Sequence, residues 1–244
     1  MAKVYDFKQG EVLCFDKPLK WTSFQVVKHV RFLIAKRLGL AKSRNLKVGH
    51  AGTLDPLASG VMMICTGKAT KRIEELQYHT KEYVAGLCLG ATTPSYDMEH
   101  PVDATYPTAH ITRELVEEVL KRFVGRIEQV PPMYSACNVD GKRAYLRARN
   151  GEEVELKPKT LVIDEIELLE YAPTAIKIRV VCSKGTYIRA LARDIGEALQ
   201  SGAYLTSLRR TRVGDVHVED CLDPRVFETW LAAQDVCPFE EEQL

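Results

Sequence analysis

The stretch Gly49-His50-Ala51-Gly52-Thr53-Leu54-Asp55-Pro56-Leu57-Ala58-Ser59-Gly60 decides how this chain of 244 residues is read. Glycine adopts backbone angles that other residues avoid, and proline turns the residue before it away from helix. The stretch therefore predicts a loop of dictated shape with Asp55 near its middle, followed by a short apolar strand from Val61. From Lys28 to Arg72 the sequence carries ten Lys or Arg and one acid, Asp55. Positive neighbours favour the charged form of a carboxylate, so Asp55 is expected to be ionised at neutral pH. An ionised Asp can act as nucleophile, base or metal ligand. The alternative is a solvated carboxylate in a turn, and the stretch alone leaves both open.

Working outward, 45% hydrophobic and 27% charged residues describe a globular chain able to bury a sizeable core. The longest apolar run, Val61 to Cys65, is far too short to cross a membrane, and the first ten residues have no apolar targeting segment, so a cytoplasmic protein is expected. Seven scattered cysteines without a C-x-x-C pair fit reduced thiols rather than zinc or disulfides. Net charge is only +1, but it is unevenly spread. Besides 28–72, the segments 141–149, 177–193 and 204–214 are basic and free of acid, whereas from Asp215 onward nine acids face one Arg. Such segregation is the footprint of a phosphate-binding face opposite an acidic back. No P-loop, G-x-G-x-x-G, H-E-x-x-H or G-x-S-x-G pattern is present.

In chain order, 11–18 reads as a strand stopped by Pro18, and Thr22 or Ser23 can cap a helix to about Leu38. A helix over about 68–77 and a strand over 81–90 follow. Thr112 opens an amphipathic helix to about Phe123. The block 129–149, with prolines, aromatics and cations, describes an extended arm able to offer both charge and stacking. Strands are expected at about 152–157, 161–171 and 175–182, then a helix to about Leu199, a strand over 204–214 and a last helix near 224–233.

Several of these blocks resemble the TruB family of tRNA pseudouridine synthases. Gly49–Gly60 is similar to its G-H-x-G-x-L-D-P-x-A-[ST]-G motif, Lys81-Glu82-Tyr83 to K-x-Y, and Ser183–Arg189 to S-K-G-T-Y-I-R. Gln129–Ala136 with Gly141–Arg149, and Leu208-Arg209-Arg210 with Gly214, match two further stretches. Asp16-Lys17-Pro18 matches the family's opening, although Lys20 stands where it has glycine; Asn138 replaces a usual lysine and His100 a glycine.

The resemblance implies an α+β pseudouridine synthase fold, a large mixed, mostly antiparallel sheet flanked by helices and loops. It implies one catalytic domain over 1–234 with an RNA-binding arm at about 130–150, an acidic tail over 235–244 and no PUA domain. The implied activity converts the T-loop uridine of tRNA, position 55, to pseudouridine by base flipping, without metal or cofactor. Asp55, Tyr83 and Arg189 are the implied catalytic residues, with Arg189 paired to the aspartate. His50, Tyr187, Leu208, Lys17, Lys142 and Arg143 are the implied substrate-binding ones. The expected partner is the T-arm of tRNA, with no membrane and no obligate protein partner, the protein acting as a monomer. Alternatives are a tRNA-binding folding chaperone and an RNA-guided synthase subunit.

Overall fold

The structure, a computed structural model, describes residues 3–135, the backbone of 138–139 and 142–143, and residues 156–239. In chain order the longer elements are β1 (Val12–Lys17), α1 (Ser23–Arg37), β2 (Val48–His50), β3 (Ala58–Thr66), α2 (Ile73–Leu76) and β4 (Lys81–Leu89). They continue with α3 (Arg113–Lys121), β5 (Gly125–Gln129), β6 (Lys159–Ala172), β7 (Ala175–Cys182), α4 (Ile188–Ala198), β8 (Ala203–Val213) and α5 (Phe227–Ala232). Two compact units result, one from Met1–His79 with Arg210–Leu244, the other from Thr80–Arg209. The class is α+β. Pairing is mostly antiparallel, with a parallel pair between Val4–Tyr5 and Asp235–Val236.

In the first unit β1 and β2 both pair antiparallel with β3. β1 alternates, burying Leu13, Phe15 and Lys17. β3 does not alternate, because both of its faces are covered: Met62 and Ile64 join one apolar cluster with Phe15, Val26, Val30 and Phe227, while Val61, Met63 and Cys65 join another with Ala51 and Val213. A strand buried on both sides reads as a continuous apolar run. α1 starts at a full capping box. The Thr22 hydroxyl accepts from the Gln25 N–H at 3.1 Å, and the Thr22 N–H donates to the Gln25 side-chain oxygen at 2.7 Å.

Two chain segments depart from expectation. The loop of the central stretch is narrower than predicted, since Val48–His50 and Ala58–Gly60 are already strand. Residues 67–72 form 3-10 helix and α2 holds only four residues, where one helix over 68–77 was expected. Gly67 has φ +48° and a Cβ there would lie 2.1 Å from the Lys8 carbonyl oxygen, while Gly67 N–H and Lys68 N–H bond to Lys47 and Lys8 carbonyls. These tertiary ties leave no room for a regular α-helical start. Lys20, in the place of the family's glycine, has φ +69°, the left-handed conformation that explains why glycine is usual there.

In the second unit the strand order is β8-β4-β7-β6-β5. β4 alternates strictly, burying Tyr83, Ala85, Leu87 and Leu89. α4 packs on β4 and α3 on β6. The strand expected at 152–157 falls largely outside the described residues. Burial pushes the Cys65 and Cys221 thiols up to about 11 and about 12, so neither is a thiolate at neutral pH.

Lys17 ends β1 with no exposed surface, its ammonium donating to the Pro18 and Trp21 carbonyls at 3.0 and 2.6 Å. Burial pulls its pKa down to about 8; Asp55 and Asp16 oppose the shift and Arg210 reinforces it. Gly60 has φ +110° and an added Cβ would sit 2.1 Å from the Arg210 carbonyl oxygen, whereas at Gly39, φ +67°, nothing lies within 4 Å. Gly60→Ala should therefore cost about 3 kcal/mol or more by urea unfolding, and Gly39→Ala about 1 kcal/mol, from strain alone. Because the folded pKa of Lys17 lies below its usual 10.5, its charge opposes folding fully below pH 8 and the penalty fades as pH rises from about 8 to 10.5. Over that window wild type should gain up to about 1.4 kcal/mol per pH unit relative to Lys17→Met. Parallel stability curves for the two proteins would contradict this.

Candidate active site

In the first unit the Asp55 loop is tied down at nearly every residue. Ala51 N–H bonds to the Met63 carbonyl at 2.9 Å. The Ser23 hydroxyl donates to the Leu54 carbonyl and accepts from the Leu54 N–H, both at 2.9 Å. The Asp55 carbonyl accepts from Ala58 N–H at 3.0 Å and the Pro56 carbonyl from Lys20 N–H at 2.8 Å. The backbone on both sides of Asp55 is thus fixed, and the residue itself is half-buried. A backbone fixed on both sides is how a functional side chain is held in a defined place.

Arg210, 2% exposed, supports the same loop from β8. Its Nε donates to the Val61 carbonyl at 2.7 Å and an Nη to the Gly52 carbonyl at 3.3 Å. His50, at the end of β2, has a buried Nδ1 without a hydrogen-bond partner. Burial first, then the charge of Arg210, lower its pKa against a raising bond to the Gly52 backbone, so the ring is neutral at pH 7. A neutral aromatic ring in the same loop as Asp55 suits a role in stacking or wedging rather than in phosphate binding.

In the second unit Tyr83 lies on β4 opposite Val180, 8% exposed. Tyr187 is the residue before α4, and its N–H donates to the Gln129 side chain at 2.9 Å, so the Gln129–Ser135 segment satisfies an otherwise orphaned helix-start donor. Arg189 lies in the first turn of α4, 5% exposed. Its two Nη atoms donate to the Ser95 and Tyr134 carbonyls at 3.2 and 2.9 Å, and its Nε lies 3.8 Å from the Asp97 carboxylate. Leu208 sits half-exposed on β8. Gln129 Nε2 and Ser95 Oγ, both close to these groups in sequence or by contact, are buried without a partner.

The structure thus places Lys17, His50 and Asp55 in the first unit, with Lys17 near Asp55 and both Lys17 and His50 near Arg210, and Tyr83, Tyr187 and Arg189 in the second. Lys17, expected to touch substrate, is the expected binding residue placed wholly inside the first unit. Lys142 and Arg143 lie in a strand paired with Asn138–Val139, and their side chains are outside the described residues. Three supporting residues carried no site role in the sequence reading: Ser23, named only as a possible helix cap, which clamps Leu54; Arg210, matched only as part of a family stretch; and Asp97, whose carboxylate faces Arg189. Ser23 and Arg210 could not be singled out because their partners are backbone atoms far along the chain.

Charge segregation is weaker in space than in sequence. In the acid-free segment 177–193, Arg179 pairs with Glu82 at 2.8 Å and Glu165 at 2.7 Å, Lys177 with Glu170 at 2.9 Å, and Arg193 with Asp194 at 2.6 Å. Neighbouring strands, and the residue after the segment, supply the acids it lacks.

Among the described residues no group of three or more His, Cys, Asp or Glu is placed to hold a metal ion. Comparison with known proteins agrees with the motif geometry. A family model described as TruB family pseudouridylate synthase, N-terminal domain, matches residues 37–188, and one described as tRNA pseudouridylate synthase B C-terminal domain matches 189–240. The chain is 72% identical over 231 residues to tRNA pseudouridine synthase B of Phocaeicola vulgatus, covering 95% of this chain and 97% of that protein. It is 51% identical over 223 residues to the protein of that name from Flavobacterium johnsoniae, covering 91% and 96%. Among solved structures, a chain of a Cbf5-Nop10-Gar1 complex superposes with a TM-score of 0.67 at 30% identity, over 92% of this chain and 55% of that one, so the present chain spans just over half its length. With family models matching residues 37–240 and relatives matching nearly end to end, the chain belongs to the TruB family of pseudouridylate synthases.

Proposed function

We propose that this protein converts the T-loop uridine of tRNA, position 55, to pseudouridine. The observation that carries the reading is the Asp55 turn, in which bonds from Ser23, Lys20, Ala58 and Arg210 to the loop backbone fix the position of the aspartate. The relatives that cover almost all of the chain are named for tRNA pseudouridine synthesis. The alternatives of a folding chaperone or an RNA-guided subunit gain no comparable support.

The reaction breaks the bond from N1 of uracil to C1′ of ribose, turns the base and joins C5 to C1′. Atoms and electrons balance within the substrate, so it needs neither oxidant nor energy donor. The uridine has to leave the stacked loop first. His50, neutral and aromatic, would fill the space the base vacates. Asp55 would act either as nucleophile, at the base or the ribose, or as the base that starts the reaction at the sugar. Tyr83 and Tyr187 would contact the flipped uracil, with Tyr83 assisting loss of the C5 proton, and Leu208 would line its pocket. Arg189 serves turnover through a guanidinium whose plane is set by two carbonyls and Asp97. Lys142 and Arg143 would meet backbone phosphates. The protein would act as a cytoplasmic monomer, and no described helix is long and apolar enough to cross a membrane.

The test is incubation of purified protein with uridine-labelled, unmodified tRNA and mapping of the product. Wild type should place pseudouridine in the T-loop without added cofactor. Asp55→Asn should lower turnover at least about a thousandfold while tRNA affinity stays within a few-fold. Arg189→Lys keeps a charge but loses the planar fork, and should reduce kcat about tenfold or more with little change in affinity. Full turnover by either variant would remove that residue from the machinery.

A further inference from the structure

The first unit carries an open groove of about 640 Å³ lined by Trp21, Phe24, Lys28, Arg31, Phe32 and Arg44, among others. Phe24, Lys28, Arg31 and Phe32 recur at helical spacing on α1, so one outward face presents two aromatics with two cations between them. Phe24 is 66% exposed and Phe32 57%, a large apolar investment on a face that covers no core. Arg44 adds a third cation from the 3-10 turn Ser43–Asn45 across the groove. One wall is rigid: Trp21 meets His29 edge-on at 5.6 Å, and His29 Nε2 is hydrogen-bonded to the Pro224 carbonyl at 3.0 Å.

The charge is one-sided. No acid lines the groove, and the sequence has none between Asp16 and Asp55. Other cations of the block are engaged elsewhere, Lys36 with Glu228 at 2.8 Å and Arg37 with the Gln234 carbonyl at 3.4 Å. Lys28, Arg31 and Arg44 have no carboxylate partner among the described residues.

We propose that this groove binds an unpaired segment of RNA, with bases stacked on Phe24 and Phe32 and phosphates met by Lys28, Arg31 and Arg44. The two phenyl rings leave α1 eight residues apart, about 12 Å along the axis, so they can flank successive unstacked nucleotides. A duplex buries its base faces and has nothing to offer these rings. The position also fits. Lys17 bonds to the Trp21 carbonyl and Lys20 to Pro56, so the groove begins a few residues from the Asp55 turn within the same unit. The inference rests on the reading that the substrate is RNA, and extends it by a second binding surface made of none of the residues assigned to the reaction.

The experiment measures binding of a short oligouridylate and of unmodified tRNA to wild type, Phe24→Ala/Phe32→Ala and Lys28→Gln/Arg31→Gln, with thermal melting as a check on folding. Phe24, Lys28 and Phe32 are exposed and Arg31 is half-buried on the same face, so melting should change little. The aromatic double variant should weaken both RNAs about tenfold. The cation double variant should flatten the plot of log affinity against log salt by about 0.7 for each phosphate that is no longer neutralised. Unchanged affinity and slope would overturn the proposal. So would an effect confined to self-association, seen by sedimentation, which would make the face a protein interface. Failure of the proposed function would show separately, as absence of pseudouridine from wild type, because the groove is judged on oligouridylate binding alone.

Discussion

Arg210 sets a guanidinium where water hardly reaches, and the geometry of the Asp55 turn depends on it. A buried charge is tolerated only when its donors are satisfied. Here donors are met by the carbonyls of Gly52 and Val61, which lie on either side of Asp55. The Arg210 backbone passes so close to Gly60 that no side chain fits between them. The same charge reinforces the lowered pKa values of Lys17 and His50. One residue therefore fixes the loop's shape and shapes the electrostatics of its neighbours.

Arg189 plays a parallel part in the second unit. It joins the start of α4 to Ser95, Tyr134 and Asp97, gathering three sequence-distant segments around one planar group. Arginine suits both positions because its fork offers several donors in one plane and does not titrate. Lysine could not span the same carbonyls.

The basic residues divide into three populations. Lys17, Arg189 and Arg210 are buried and serve the fold of the site. Arg179, Lys177 and Lys36 are neutralised by acids from adjacent elements. A remaining set, including Lys28, Arg31 and Arg44, lies on the groove beside α1 without such partners. The cations of the described residues that are neither buried nor neutralised are thus fewer than a linear count implies.

By itself the sequence determined the family, the Asp55 motif and most elements, because those rest on local chemistry. Thr22 and Thr112 each cap a helix with a short-range side-chain bond, and alternation in β1 and β4 follows from one face being buried. Glycines 52 and 60 mark a loop of dictated shape, and both adopt positive φ. What only the tertiary structure decided depends on partners far along the chain. Nothing in the sequence, where Lys17 stands only as an implied substrate-binding residue, shows that β1 places it inside, and residues 68–77 read as helix until Lys8 and Lys47 claim the first N–H groups. Segment 177–193 reads as a phosphate face until Glu82, Glu165 and Glu170 arrive beside it. Spacing along a chain encodes local hydrogen bonding and burial, whereas the neutralisation of a charge depends on which strand lies alongside it.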